Sequence, residues 1–269
     1  MNPQVEVSAS PTNPLLEKVK VPGRIFQLPS AGILYKNGEL APSVENGEVH
    51  VYPMTALDEI HMKNPDMLFS GKAISIVFRH CIPDIKKPEE LFAKDIDAIM
   101  VFLRNVTYGQ YYEIEATHTC EGAKNHSYMV DVEQMVGEIN YLDATSLDDL
   151  YSITLANGQV VKLQPIRYKH VLQILKMNEN KKELSPEDQE KNLITNLLNV
   201  IDSVDGITDK KLIAEWARAI SPQMMNTLAE AIDDSQAWGV NTIKTLKCKD
   251  CGEDYEIEIP INPISFFFD

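Results

Sequence analysis

Much of the usual machinery of catalysis is missing from this chain. It has no glycine-rich phosphate cradle, no GxSxG elbow, no HExxH pair and no EF-hand spacing, so the nucleotide-binding, hydrolase, metalloprotease and calcium-sensor signatures are all absent. Basic residues are also scarce, 25 Lys and Arg against 40 Asp and Glu, for a formal charge of −15. Such a field repels a phosphate backbone, which argues against DNA and RNA as partners. Met1 to Ser10 lack the basic, apolar and small-residue succession of a signal peptide, and no apolar run approaches the roughly 18 residues of a spanning helix. The protein is therefore expected to stay in the cytoplasm where it is made, with no membrane partner. Four cysteines, Cys81, Cys120, Cys248 and Cys251, are too few to staple 269 residues. Two of them form a CxxC pair, which fits a reducing compartment.

What remains is a globular composition, 44% apolar and 24% charged, sufficient for a core. The pattern along the chain is that of an α+β protein built from small β modules. Residues 1–25 hold Pro3, Pro11, Pro14 and Pro22 among small polar residues and read as an extended arm. Residues 26–107 read as an N-terminal β module followed by helices. Asn37-Gly38 and Asn46-Gly47 mark turns, Val49 and Val51 alternate, Thr55 can cap a helix carrying Asp58 and Glu59, and Ile96, Ile99, Met100 and Leu103 share one helical stripe. Residues 108–166 read as β, with runs on both sides of Thr117–Gly122 and a hairpin turning at Asn157-Gly158. Residues 167–240 read as a helical insertion: Val171, Leu172 and Leu175 share a face, and Leu193, Ile194, Leu197, Leu198 and Ile201 recur at helical spacing. Ser185-Pro186, Ser221-Pro222 and Thr208 supply caps. Residues 241–269 read as two strands around the CxxC, closing on Phe266, Phe267 and Phe268.

The run Cys248-Lys249-Asp250-Cys251-Gly252 between two β runs has the form of a zinc knuckle, in which two thiolates converge while a glycine permits the tight turn. A knuckle supplies two ligands and a closed site needs four. His118 and Cys120, with Gly122 behind them, form a candidate second knuckle, one residue shorter than usual, and His126 is an alternative fourth ligand. Pairing them makes a two-knuckle, zinc-ribbon-like element holding one structural zinc, and brings Cys120 beside Cys248. Against this stands a metal-free reading in which the cysteines are ordinary thiols at a hairpin tip, and a redox CxxC, which normally opens a helix rather than a strand. Asp143, Asp148 and Asp149, like Asp202, Asp205 and Gly206, lack the periodic ligands of a calcium loop and read as caps or solvated loops. Cys81 and His80 are adjacent on a helix and do not face each other as a nucleophile and base would.

Several stretches together carry a family resemblance: Leu28-Pro29-Ser30-Ala31-Gly32 with Tyr35, Val51-Tyr52-Pro53-Met54-Thr55 with Asp58-Glu59, Arg104 with Thr107-Tyr108-Gly109, and Cys248 to Gly252 leading into Ile259-Pro260 and the terminal phenylalanines. The set resembles the baseplate hub assembly proteins of T-even-type contractile phages, also described as tail assembly chaperones. Relatives of this type carry a cysteine pair at both knuckles, whereas this chain offers His118 and Cys120 at the first. The resemblance implies a non-enzymatic protein that helps assemble the hub or tape measure of a phage tail, or a permanent baseplate subunit. Its partners would be other tail proteins, and it would act in the host cytoplasm or in the virion baseplate. Phe266, Phe267 and Phe268 are candidate partner-binding residues, since an exposed aromatic end is costly in water; the alternative is that they fold back onto the chain's own core.

Overall fold

A computed structural model describes residues 21–179, 183–261 and 266–267. Residues 1–20 of the expected arm lie outside this set. Strand β1 (Arg24–Gln27) pairs antiparallel with β2 (Glu48–Val51), Phe26 opposite Val49. Alternation turns Phe26, Val49 and Val51 inward and leaves Glu48 and His50 outside. Three helices follow, α1 (Ala56–Met62), α2 (Pro65–Phe69) and α3 (Lys72–Cys81). The Thr55 cap is present as a full capping box with Asp58. In α3, Ala73, Ile74, Val77, Phe78 and Cys81 are buried, the three-and-four spacing of one face. Gly71 begins α3 at φ +74°, in the left-handed region that glycine adopts without strain, and a Cβ there would also press a Leu172 methyl at 2.3 Å.

Helix α4 (Ala93–Tyr108) is the central element, buried from Asp95 to Asn105 except at Asp97. Strands β3 (Tyr111–Ala116) and β4 (His126–Asp131) form a hairpin that leads into α5 (Val132–Gly137). After a short helix, α6 (Leu147–Leu150), β5 (Ser152–Thr154) and β6 (Val160–Leu163) make the hairpin expected at Asn157-Gly158. Helices α7 (Tyr168–Asn178) and α8 (Pro186–Val200) come next, then β7 (Ile201–Val204), α9 (Lys210–Ala219) and α10 (Pro222–Ser235), and finally the hairpin of β8 (Ile243–Lys247) and β9 (Asp254–Glu258). The class is α+β, as expected.

Two details differ from the sequence reading. Ile201, which continues the helical stripe of α8, begins strand β7 instead, because that strand completes the β5–β6–β7 sheet by pairing with β6. The cap of α9 is Asp209 rather than Thr208: hydrogen bonds between Val204 and Ile207 close a turn first, and the Asp209 carboxylate takes the Lys211 and Leu212 N–H groups.

Two apolar clusters form the interior. The first gathers β1, β2, α1, α3, α4, the bases of β3 and β4, and Phe266 and Phe267; the second gathers the three-stranded sheet, α8, α9, Leu228 and Trp238. They meet at the start of α4. Asp95, with no exposure, accepts the Ser30 N–H at 2.9 Å and the Tyr35 O–H at 2.6 Å. The Tyr35 oxygen in turn accepts the Phe92 N–H at 2.8 Å, and the two rings stack with centroids 4.5 Å apart. Phe92 meets Trp238 edge-on and carries the Arg167 guanidinium over its face.

Burial raises the Asp95 carboxyl to about 6, with the Ser30 and Tyr35 bonds pulling the other way. A folded-state value above the unfolded one means that the protonated acid favours the fold below about pH 4, and that this contribution is lost as pH rises through about 6. Against an Asp95→Asn reference, wild-type stability in denaturant titrations should fall by on the order of 3 kcal/mol between pH 4 and 7 and then level off. A parallel pair of curves would contradict this account.

Candidate metal centre

The two knuckles are built alike. Each sits at a hairpin tip where the strands have stopped pairing, and each turns through a glycine at positive φ, Gly122 (73°) after Cys120 and Gly252 (80°) after Cys251. In the second, Gly252 N–H reaches the Cys248 carbonyl and Cys248 N–H the Glu253 carbonyl. This curls the backbone so that N–H groups point at sulfur.

The hairpins are joined tip to tip across more than a hundred residues of chain. His118, Cys120, Cys248 and Cys251 present ligand atoms that all lie within 4.8 Å of one another. Cys120 Sγ is 3.8 Å from Cys248 Sγ, and Cys251 Sγ is 3.4 Å from His118 Nδ1. Ligands at roughly 2.3 Å from sulfur and 2.0 Å from nitrogen, placed at tetrahedral corners, stand about 3.5 to 3.8 Å apart. The observed spacing therefore fits a four-coordinate metal ion, and the donor set, three sulfurs and one imidazole, is of the soft type that binds zinc. The Cys248 thiol is drawn down to about 6, first by the Cys251 N–H and then by the Asp250 N–H, while burial and the neighbouring sulfurs push Cys120 up to about 12. Cys248 is buried, His118 and Cys120 half-buried, and Cys251 exposed. All four residues named from the sequence are thus brought together. His126 is not among them: its Nε2 lies 2.9 Å from Asp250 Oδ2.

That histidine belongs to a set of contacts beyond the ligand atoms that also fastens the knuckles. Asp250 also accepts the Lys124 N–H at 2.9 Å. Lys249 donates to the Ser127 carbonyl at 2.5 Å and lies over the Tyr128 ring, and Tyr255 stacks on the His118 imidazole at 4.7 Å. The two residues inside the CxxC, Lys249 and Asp250, both reach across to the other hairpin. Their polarity between two cysteines was the available signal for this role.

Other expected sites resolve differently. Phe266 and Phe267 lie inside the first cluster, Phe266 edge-on to Tyr112 and under the Arg104 guanidinium, so these two turn inward, as the burial of large apolar rings favours. Phe268 lies outside the described residues. A second group, Asp58, His80 and Cys81, also clusters. Asp58 Oδ2 is already occupied by Thr55 N–H, Thr55 O–H and His80 Nδ1, which makes this the capping box of α1 with a histidine attached. Burial pushes the Cys81 thiol far up, away from nucleophilic character.

Removing the Asp250 carboxylate should loosen the docking of the hairpins. In Asp250→Ala, amide exchange across residues 117–127 is expected to quicken while α4 and α8 keep their protection; unchanged exchange at the tip would assign the docking to the ligand residues alone.

No helix among the described residues is long and apolar enough to cross a membrane. No curated protein and no solved structure matches the chain significantly. Residues 43–269, most of the chain and the whole of both knuckles, match the family described as T4 bacteriophage base plate protein, and the chain belongs to that family.

Proposed function

We propose that this chain is a non-enzymatic assembly factor for the baseplate hub or tape measure of a contractile phage tail. In this reading it works in the host cytoplasm by protein–protein binding, and its knuckles are held by one structural zinc. Family membership over residues 43–269 carries the baseplate part of this reading. The ligand cluster supports the zinc: four protein ligands whose donor atoms lie within 4.8 Å of one another would leave no open position for water or substrate, so the ion would brace the fold without performing chemistry. The ion's free energy of binding would then be part of the free energy of folding. A net charge of −15 suits a carrier that keeps an aggregation-prone partner in solution. The family description, a base plate protein, agrees equally with the second reading, a permanent baseplate subunit.

Zinc is tested on the purified chain. Elemental analysis should find about one zinc per chain, and chelation should lower the melting temperature reversibly, with Cys251→Ser reproducing the loss. Metal-free protein that melts where the untreated protein does would leave the cluster a group of bare thiols. The assembly role is tested by co-expression pull-down with hub and tape-measure proteins, combined with mass spectrometry of purified particles. Capture with absence from mature particles supports the assembly factor, a fixed stoichiometry in the particle supports the baseplate subunit, and neither capture nor particle signal would sink both.

A further inference from the structure

A groove of about 320 Å³ opens between α2, α3, α4 and α7. Its walls are mostly apolar, with Leu68 and Phe69 from α2, Ile74 from α3, Met100 from α4 and Leu175 from α7, and among the described residues the only charged side chain on them is Asp97 of α4. The rim is unusually greasy for a surface: Phe69 is 51% and Leu175 42% exposed.

Asp97 is the informative residue. Among the described residues it has no hydrogen bond and no ion pair, yet its surroundings raise its carboxyl to about 6, through burial opposed only by the charge of Lys94. Lys94 does not bond to it, and the lysine's hydrocarbon chain lies against Gly239. Asp97 is half-buried, and its carboxylate meets water through the open groove, so an apolar segment that covers the groove would strip that water away and leave the charge to be met by the segment itself. Asn at this position would fill the same space without the charge.

We propose that this groove is the docking site for an amphipathic segment of a partner protein, one that sets leucine-like side chains between α2 and α7 and a lysine or arginine against Asp97. The proposal rests on the protein-binding reading above and names the chemistry of the partner. Charge complementarity selects the occupant: an apolar peptide with no cation would seal Asp97 away from water unpaired, and an acidic one would set like charges together. The mode is the familiar one of an amphipathic element lying in a helical groove with spaced apolar anchors.

The test uses the full chain with p-benzoylphenylalanine in place of Leu175, co-expressed with the tail proteins and irradiated. Cross-linked peptides are then sequenced. The expected product joins the groove to an apolar segment of a hub or tape-measure protein that contains a lysine or arginine. Asp97→Asn should weaken binding of that partner by about thirtyfold or more while the free protein becomes no less stable, and Asp97→Lys should be rescued when the partner's cation is changed to glutamate. A captured segment without a basic residue, or capture unaffected by either Asp97 variant, overturns the proposal. So does a cross-link to a second copy of this chain, or to its own residues 1–20 or 262–265. A partner found by pull-down with no cross-link at the groove also overturns it while leaving the assembly role intact. Failure of both pull-down and cross-link removes the two together.

Discussion

A carboxylate removed from water with no cation beside it is kept in place by its hydrogen-bond donors, and Asp95 has two, both from the segment that follows β1. One donor is a backbone N–H, which fixes the chain at Ser30 against the first turn of α4. The other is the Tyr35 hydroxyl, which passes the constraint on by accepting the Phe92 N–H while its ring stacks on the Phe92 ring. Phe92 belongs to the second apolar cluster and the body of α4 to the first. The relative placement of the two halves of the interior is therefore set by one acid, one hydroxyl and one stacked pair. Arg167 completes the joint: it bonds to the nearly buried Glu39 and to the Glu90 carbonyl, and its guanidinium covers Phe92 from the α7 side.

The knuckles depend on that joint, because their hairpins leave the body at different points of it. β3 follows directly from α4, whereas β8 follows α10 and Trp238, whose ring meets Phe92. Closing a loop of more than a hundred residues costs entropy that grows only slowly with its length. The contacts of Asp250, Lys249 and Tyr255 lie where they offset it. They bring the sulfurs and the imidazole to within 4.8 Å of one another from protein–protein contact. A site assembled in this way would ask little rearrangement of its ligands to take the proposed zinc.

The sequence made much of this visible, and for a physical reason. Helix stripes, the Asn-Gly turns and the serine–proline caps are local signals, decided within a few residues, and those elements formed as expected. The meeting of the knuckles was legible too, since a lone CxxC is an incomplete coordination sphere and His118 with Cys120 was the other compact pair of soft donors between β runs. The choice between His118 and His126 was not legible, because it turns on Asp250, a residue far away in sequence that takes His126 for itself. Nor was strand β7. Ile201 fits the helical period of α8 as well as it fits a strand, and only the β6 edge at its side decides the matter. The inward turn of Phe266 and Phe267 likewise required knowing that Tyr112 and Arg104 frame a place for them.

Asp95 and Asp97 show how the same residue type, two positions apart on one helix, comes to mean opposite things. Neither pairs with a cation, and burial raises both carboxyls to about 6. Successive odd positions on a helix point in very different directions, so one acid enters the joint between the clusters and the other enters the groove. Asp95 finds donors from its own chain, and its role ends with the fold. Asp97 finds none among the described residues, in a groove whose other described walls are mostly apolar. Burial and hydrogen bonding both separate the two: Asp95 is wholly buried and answered by its own fold, whereas Asp97 is half-buried and open to water through the groove, where a docked partner would have to meet its charge.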